Sequence, residues 1–318
     1  MTDSPARCKP PKGSLFEPVQ APRGLRLALV FGNEAPGGKC PFYKKQCFHC
    51  DLGAGEGFQF FPEMNISRVQ FFREHYAEIL PNVNHLIVYN SGSTLNVQEL
   101  SDQTLEAILA FACELPNVHR VSFDSREPFI TEARISFFLE RIRPDQTLSI
   151  TLGLESQSEE VRMGFLAKRM TKEQVNGVFD VLGKFANRTA VELNVLFQPP
   201  GLVGKEAVED AQATIRYGLS LMTKHQVLVD FNFHPYYPSW KGTTEFPNHP
   251  RAIVQDTIKA LILVLREIKS HGGDSKIFVG WNDEGHDLQP ALRQRELLLY
   301  DPGLREFNRS QDENDLRI

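Results

Sequence analysis

Three cysteines crowd into one short stretch, GGKCPFYKKQCFHCDLG, with six residues between Cys40 and Cys47 and two between Cys47 and Cys50. Thiolates on one loop can converge on a metal centre, and two metal chemistries fit this set. Three of them can ligate three irons of a 4Fe–4S cluster and leave the fourth iron open to a substrate or cofactor. Alternatively, His49 or a distant residue could complete a tetrahedral site for structural zinc on a non-catalytic protein. Zinc sites of that kind usually pair two such clusters, and no second Cys or His pair stands at ligand spacing. Spacing therefore leans to iron–sulfur and leaves zinc open. Five cysteines, so clustered and odd in number, make a poor disulfide framework. The remaining two are expected to carry no chemistry: Cys8 sits in a Pro- and Lys-rich arm, and Cys113 in a helical pattern where it can pack as a small hydrophobe.

A loop of this kind needs rigid elements around it, and the sequence supplies them by alternation. Short apolar or β-branched runs predict strands at 25–31, 85–89, 119–123, 148–154, 191–197, 227–233 and 276–280. Between them, apolar residues at i, i+3, i+4 spacing predict helices over 66–80, 102–115, 131–142, 172–185, 205–221 and 252–270. Strand and helix repeated in this way are parallel βα units. The expected fold class is α/β: a partial or full parallel (β/α) barrel of six to seven strands in a single domain spanning 24–300, after an N-terminal arm (1–23) and before a charged, frayed C-terminal tail (301–318).

In such barrels the chemistry sits where strands end and βα loops begin. Each polar cluster here falls at such a point. The cysteines follow the first strand, Ser91-Gly92-Ser93 the second, Arg126 and Glu127 the third, and Glu155-Ser156 the fourth. Gln198 follows the fifth, His234, Tyr236 and Tyr237 the sixth, and Asn282, Asp283 and Glu284 the last. Position alone makes Arg126, Glu127, His234, Tyr236, Tyr237, Asn282, Asp283 and Glu284 candidates for touching substrate. No acid or base role is assigned to any of them.

The bulk composition narrows the function classes. No run approaches the roughly 20 apolar residues of a membrane span, and the N-terminus lacks the apolar core of a secretory signal, so a cytoplasmic, non-membrane protein is expected. A net charge of −5 argues against unaided grip on nucleic acid, although Lys44, Lys45, Lys168 and Arg169 could form a local basic patch.

Beyond the cysteines, the sequence resembles the radical SAM superfamily. The first cysteine gap is wider than the usual three residues, as in the Elongator catalytic-subunit type and the archaeosine-synthase radical SAM lyase. CPFYKKQCFHC is similar to the latter, with a first gap one residue shorter. The likeness continues in order through YNSGSTLN, SREPFITEARI, LGLESQSEEVRMGFLAKRMT, LFQPPGLVGKEAVEDA and FNFHPYYPSWKG, and so covers roughly residues 25–285.

This resemblance implies a 4Fe–4S cluster on Cys40, Cys47 and Cys50 whose open iron chelates S-adenosylmethionine (SAM), with an electron donor such as flavodoxin or ferredoxin. It implies that His49 packs near the adenine and that Ser91, Gly92 and Ser93 meet the methionine amino group. Glu155 would reach the ribose or amino end, Arg162 or Lys168 the methionine carboxylate, and Gln198 the adenine. Two substrate classes follow: a small polar molecule in metabolite or natural-product tailoring, which the acidic balance favours, or tRNA, modified by a lyase acting with a partner protein. Against tRNA stands the lack of an appended RNA-binding domain, since the sequence ends soon after the last predicted strand. The reaction is a lyase or transferase type, and some relatives break a different C–S bond of SAM to transfer an aminocarboxypropyl group.

Overall fold

Val, Ile and Leu fill the strands in near-continuous runs (LALV, LIVY, ITLGL), as strands buried on both faces require. In the computed structural model, which describes residues 15–43, 46–50, 57–280 and 290–317, these runs form eight strands that follow one another in a single sheet in chain order. They are β1 (Val19–Ala21), β2 (Gly24–Val30), β3 (His85–Tyr89), β4 (Arg120–Asp124), β5 (Thr147–Glu155), β6 (Thr189–Phe197), β7 (Leu228–Pro235) and β8 (Ile277–Val279). The helices are α1 (Pro62–His75), α2 (Asp102–Glu114), α3 (Glu132–Leu139), α4 (Lys172–Gly183), α5 (Gly204–His225), α6 (Trp240–Glu245), α7 (Val254–His271) and α8 (Pro290–Ser310). The class is α/β, with the strand order of a parallel (β/α) barrel. One strand more is present than expected: β1 is three residues of VQA, too short and too polar to stand out as an apolar run.

The chain forms two compact units. The first holds β2, β3 and β4, and the second holds β6, β7 and β8; β5 passes from one to the other after Ile150. The cysteine loop is divided likewise, Cys40 with the first unit and Cys47 and Cys50 with the second.

In the first unit β2 pairs in parallel with β3 (Arg26↔His85 to Val30↔Tyr89), and β3 with β4 (His85↔Arg120 to Val88↔Phe123). This register brings the loops after all three strands to one end. Helices α2 and α3 start where Ser101 and Thr131 accept a hydrogen bond from the backbone N–H three residues on, the N-cap geometry those residue types favour. Helix α1 begins at Pro62, four residues before the predicted start, because proline fits the first helical position, where no N–H is needed. Cys113 is half-buried on α2 with its thiol donating to Arg141 O at 3.2 Å, a packing role.

In the second unit β6 pairs with β7 from Ala190↔Leu228 to Phe197↔Pro235, and β7 with β8 from Phe231↔Ile277 to Phe233↔Val279. Thr171 and Gln174 form a capping box at the start of α4. The predicted frayed tail is ordered. Asn308 accepts from Val279 N at 2.8 Å and donates to Val279 O at 3.1 Å, and Gln311 does the same for Ile277 at 2.9 Å in each direction. Two side-chain amides thus stand in for a further strand along β8, and Phe307 and Leu316 are buried beside them. Charge in RSQDENDLRI hid this role, which belongs to amides rather than to an apolar pattern. Among the described residues no helix is long and apolar enough to cross a membrane.

Candidate active site

Within the first unit, two buried carboxylates stitch the strand-end loops together. Glu34 accepts from Asn65 Nδ2 at 2.8 Å and Thr104 Oγ1 at 2.5 Å through one oxygen, and from Ser101 N at 2.9 Å through the other. Glu99 accepts from Asn96 Nδ2 at 2.8 Å, Asn33 Nδ2 at 3.0 Å and Ser93 N at 3.1 Å. Burial pushes the Glu99 carboxyl above its usual range, against the pull of those three donors. The loop Ser91-Gly92-Ser93 is shaped by this carboxylate. A Cβ on Gly92 would stand 1.6 Å from Glu99 Oε2, so only glycine fits. Ser93 is buried and its hydroxyl accepts from Arg126 N at 3.2 Å, while Ser91 is half-exposed and donates to Gly38 O at 3.4 Å. Gly38, in the left-handed region at φ 63°, sits two residues before Cys40, so the loop after β3 holds the approach to the first cysteine.

Within the second unit the centre is Glu155, the last residue of β5. Lys168 Nζ donates to its Oε1 at 2.8 Å and His49 Nε2 lies 3.5 Å from the same oxygen, with Glu155 and Lys168 6% and 5% exposed. Burial alone would raise this carboxyl, but the Lys168 ammonium and then His49 outweigh it and hold Glu155 well below the usual carboxylate range. Room for the pair comes from Gly153, on the same strand face two residues back. A Cβ there would stand 2.3 Å from Lys168 Nζ and 2.6 Å from Glu155 Oε1.

The backbone is bent sharply to make this contact: Glu155 (φ 67°), Ala167 (φ 49°) and Arg169 (φ 54°) all adopt the left-handed region. Non-glycine residues persist there only where their surroundings over-determine them. One such constraint is Arg162, 0% exposed on the π-helical turn Glu160–Phe165, whose guanidinium donates to Ser156 O at 2.6 Å and Met170 O at 2.9 Å. Ser156 in turn donates to Asp210 Oδ1 at 2.7 Å. The loop after the turn reaches the cysteines, since Leu166 O and Ala167 O accept from Phe48 N at 3.0 Å and Cys47 N at 3.4 Å. His49 is thereby brought to Glu155.

The other predicted residues are placed as follows. Gln198 (φ 60°) is buried, donates to Pro250 O at 3.1 Å, and through its carbonyl meets His249 Nε2 at 3.1 Å. Arg126 and Glu127 form a two-point ion pair at 2.9 and 3.0 Å beside Ser93. Tyr236 is buried against Val161, Leu166 and Leu196, whereas His234 and Tyr237 are half-exposed at the end of β7. Lys168 is buried, so it contributes to no surface basic patch; Arg169 is exposed, and Lys44 and Lys45 lie outside the described residues, as do Asn282, Asp283, Glu284 and Cys8. Cys40, Cys47 and Cys50 are half-buried. Among the described residues no three of His, Cys, Asp and Glu are gathered as a metal site, so the assignment of the cysteines rests on residue type and spacing.

Sequence reasoning passed over four residues of this site. Gly153 and Glu99 lie within or just after the strand-end stretches LGLESQ and YNSGSTLN, and their signal was a glycine in mid-strand and an acid three residues after Asn96. Ser239 and Lys241, in PSWKG, reach the cysteine loop: Ser239 Oγ donates to Phe48 O, and Lys241 Nζ donates to Gln46 O at 2.9 Å and to Tyr43 O.

No family model matches the chain. At the sequence level it is similar to an uncharacterized protein of Methanocaldococcus jannaschii, 22% identical over 260 residues, covering 80% of this chain and 68% of that protein. It is also similar to archaeosine synthase subunit beta of Methanosarcina acetivorans, 25% identical over 123 residues, which cover 39% of this chain and 35% of that subunit. The stretch shared with archaeosine synthase subunit beta thus spans about a third of that subunit's length. Among solved structures, a queuine lyase from Clostridium spiroforme bound to SAM and queuine aligns at 16% identity with a TM-score of 0.48, over 83% of this chain and 95% of that one. The archaeal Elp3 of Methanocaldococcus infernus aligns at 12% identity with a TM-score of 0.49, over 87% and 63%.

Proposed function

We propose that this chain is a radical SAM enzyme, which binds a 4Fe–4S cluster through Cys40, Cys47 and Cys50 and cleaves SAM reductively to start radical chemistry on a small polar substrate. The observation that carries the reading is the buried Glu155–Lys168 pair with the half-buried His49 beside it. It ties His49, just before Cys50, to the carboxylate at the end of β5. A structural zinc loop has no need of a buried, ionised carboxylate held beside it. A SAM site does, because ribose hydroxyls and an ammonium group are donors that a carboxylate accepts. The donor set fits as well: three soft thiolates suit iron–sulfur ligation and leave one iron open.

Cys40, Cys47 and Cys50 would hold the cluster, which would supply the one-electron reduction that splits SAM and starts hydrogen abstraction from the substrate. The chain's own residues bind and orient. Glu155, ionised at neutral pH, accepts from the ribose or amino end, and Lys168 balances its charge. Ser91 and the Gly92 backbone meet the methionine amino group. His49 lies along the adenine side with Gln198. Arg162 acts on the methionine end by holding the Ser156 turn, and Ser93 by holding the loop before Arg126. The substrate side falls to Arg126, Glu127, His234, Tyr236, Tyr237, Asn282, Asp283 and Glu284, with flavodoxin or ferredoxin as electron donor.

A second reading rests on the likeness to archaeosine synthase subunit beta. In it the chain acts as a lyase on tRNA with a partner that supplies the RNA grip. Anaerobic reconstitution tests the shared chemistry. A brown protein with iron and acid-labile sulfide for one cluster per chain, lost in Cys47→Ser and Cys50→Ser, is expected. Zinc without sulfide would overturn it.

A further inference from the structure

The loop that carries the cysteines is held from outside by the turn leading into α6. Ser239 caps that helix, accepting from Gly242 N at 2.8 Å, and the same hydroxyl donates to Phe48 O. The Phe48 N–H is bonded to Leu166 O at 3.0 Å. Both polar groups of the backbone at the residue after Cys47 are therefore fixed by the protein. On the other side, Lys241 Nζ donates to Gln46 O at 2.9 Å and to Tyr43 O, and stands 3.8 Å from the Tyr43 ring centroid. One ammonium thus draws together two carbonyls from the gap between Cys40 and Cys47. Close approach completes the contact: a Cβ on Gly242 would stand 3.2 Å from Phe48 O and 2.6 Å from the Tyr236 hydroxyl.

Two consequences follow from elementary chemistry. Carbonyl oxygens that converge without a cation repel, so the wide first gap of this loop depends on Lys241 for its shape. The ammonium also places a positive charge at the residue before Cys47, and positive charge near an iron–sulfur centre favours its reduced, more negative state. Resting on the cluster reading above, we infer that Lys241 and Ser239 are positioning residues for the cysteine loop, and that Lys241 sets both how firmly the cluster is retained and how readily it is reduced.

The test uses the full chain, reconstituted anaerobically, as wild type, Lys241→Met, Lys241→Arg, Ser239→Ala and, as an exposed control, Lys259→Met. Three quantities are read: iron and sulfide per chain, the rate of iron loss to a chelator, and the cluster's reduction midpoint. Lys241→Met is expected to lose iron about tenfold faster than wild type, the scale on which outer-shell partners act on metal sites, and to be reduced only at lower potential. Lys241→Arg, keeping the charge, should restore the midpoint, and Lys259→Met should match wild type in all three. If Lys241→Met fails to fold, Ser239→Ala carries the test and must lose iron faster than wild type. A Lys241→Met protein with wild-type retention and midpoint overturns the inference while leaving the cluster in place. A wild type that takes up no iron and sulfide overturns the reading beneath it instead.

Discussion

Glu155 and Lys168 illustrate how much a single ionised pair can depend on its surroundings. The Glu155 carboxyl lies well below its unfolded value of about 4.3, because Lys168 and His49 outweigh burial. A carboxyl lowered in the folded state contributes stability that is fully present above the unfolded value and is lost as pH falls through the folded one. Removing Lys168 leaves a buried carboxylate without its main counter-charge. Lys168→Met should therefore cost about 3–5 kcal/mol in urea unfolding near neutral pH. In that variant burial raises the carboxyl, so protonating it relieves the strain, and the gap to wild type should close as the buffer is taken below about pH 5. A gap that does not change with pH would mean that Lys168 is not balancing Glu155. Gly153 makes a companion case: Gly153→Ala places a methyl where the ion pair lies and should destabilise by about 1–3 kcal/mol in the same assay.

At the scale of elements, the site depends on loops locked by buried acids and amides rather than by apolar packing. Gly92→Ala drives a methyl into Glu99, so we expect a loss of about 1–3 kcal/mol, together with weaker SAM binding if the Ser91–Ser93 loop meets the cofactor. Thermal unfolding and equilibrium dialysis with SAM read the two effects separately. Asn308→Leu removes both amide bonds to Val279 and leaves a buried backbone N–H unmet, a cost of about 1–3 kcal/mol by thermal unfolding. Unchanged unfolding would show that α8 does not close β8. These cases also mark how far the sequence could be read. Apolar runs and 3.6-residue periodicity located seven strands and six helices, because burial of those faces is what forms them. Strand β1, helix α6 and the role of α8 escaped, since they are held by backbone pairing, a serine cap and two side-chain amides, which leave no periodic trace. In the site, cysteine spacing and Glu155 were legible as residue types at strand ends. The partners of Glu155 were not, because left-handed turns at Ala167 and Arg169 bring Lys168 back across thirteen residues.

For the molecule as a whole, a net charge of −5 and the burial of Lys168 weaken any polyanion footprint. The chain alone should bind tRNA no more tightly than about 10⁻⁴ M at physiological salt, the weak end of non-specific binding. Salt-dependent binding well below that value, seen by gel shift without a partner, would move the tRNA reading ahead of the small-molecule one. Cleavage of SAM is read by incubating the anaerobically reconstituted chain with SAM and dithionite and separating the products by chromatography. 5′-Deoxyadenosine that vanishes in Cys50→Ser is expected; 5′-methylthioadenosine in its place would keep the cluster and assign aminocarboxypropyl transfer. SAM recovered intact from a protein whose cluster is present and reduced would overturn the proposed chemistry.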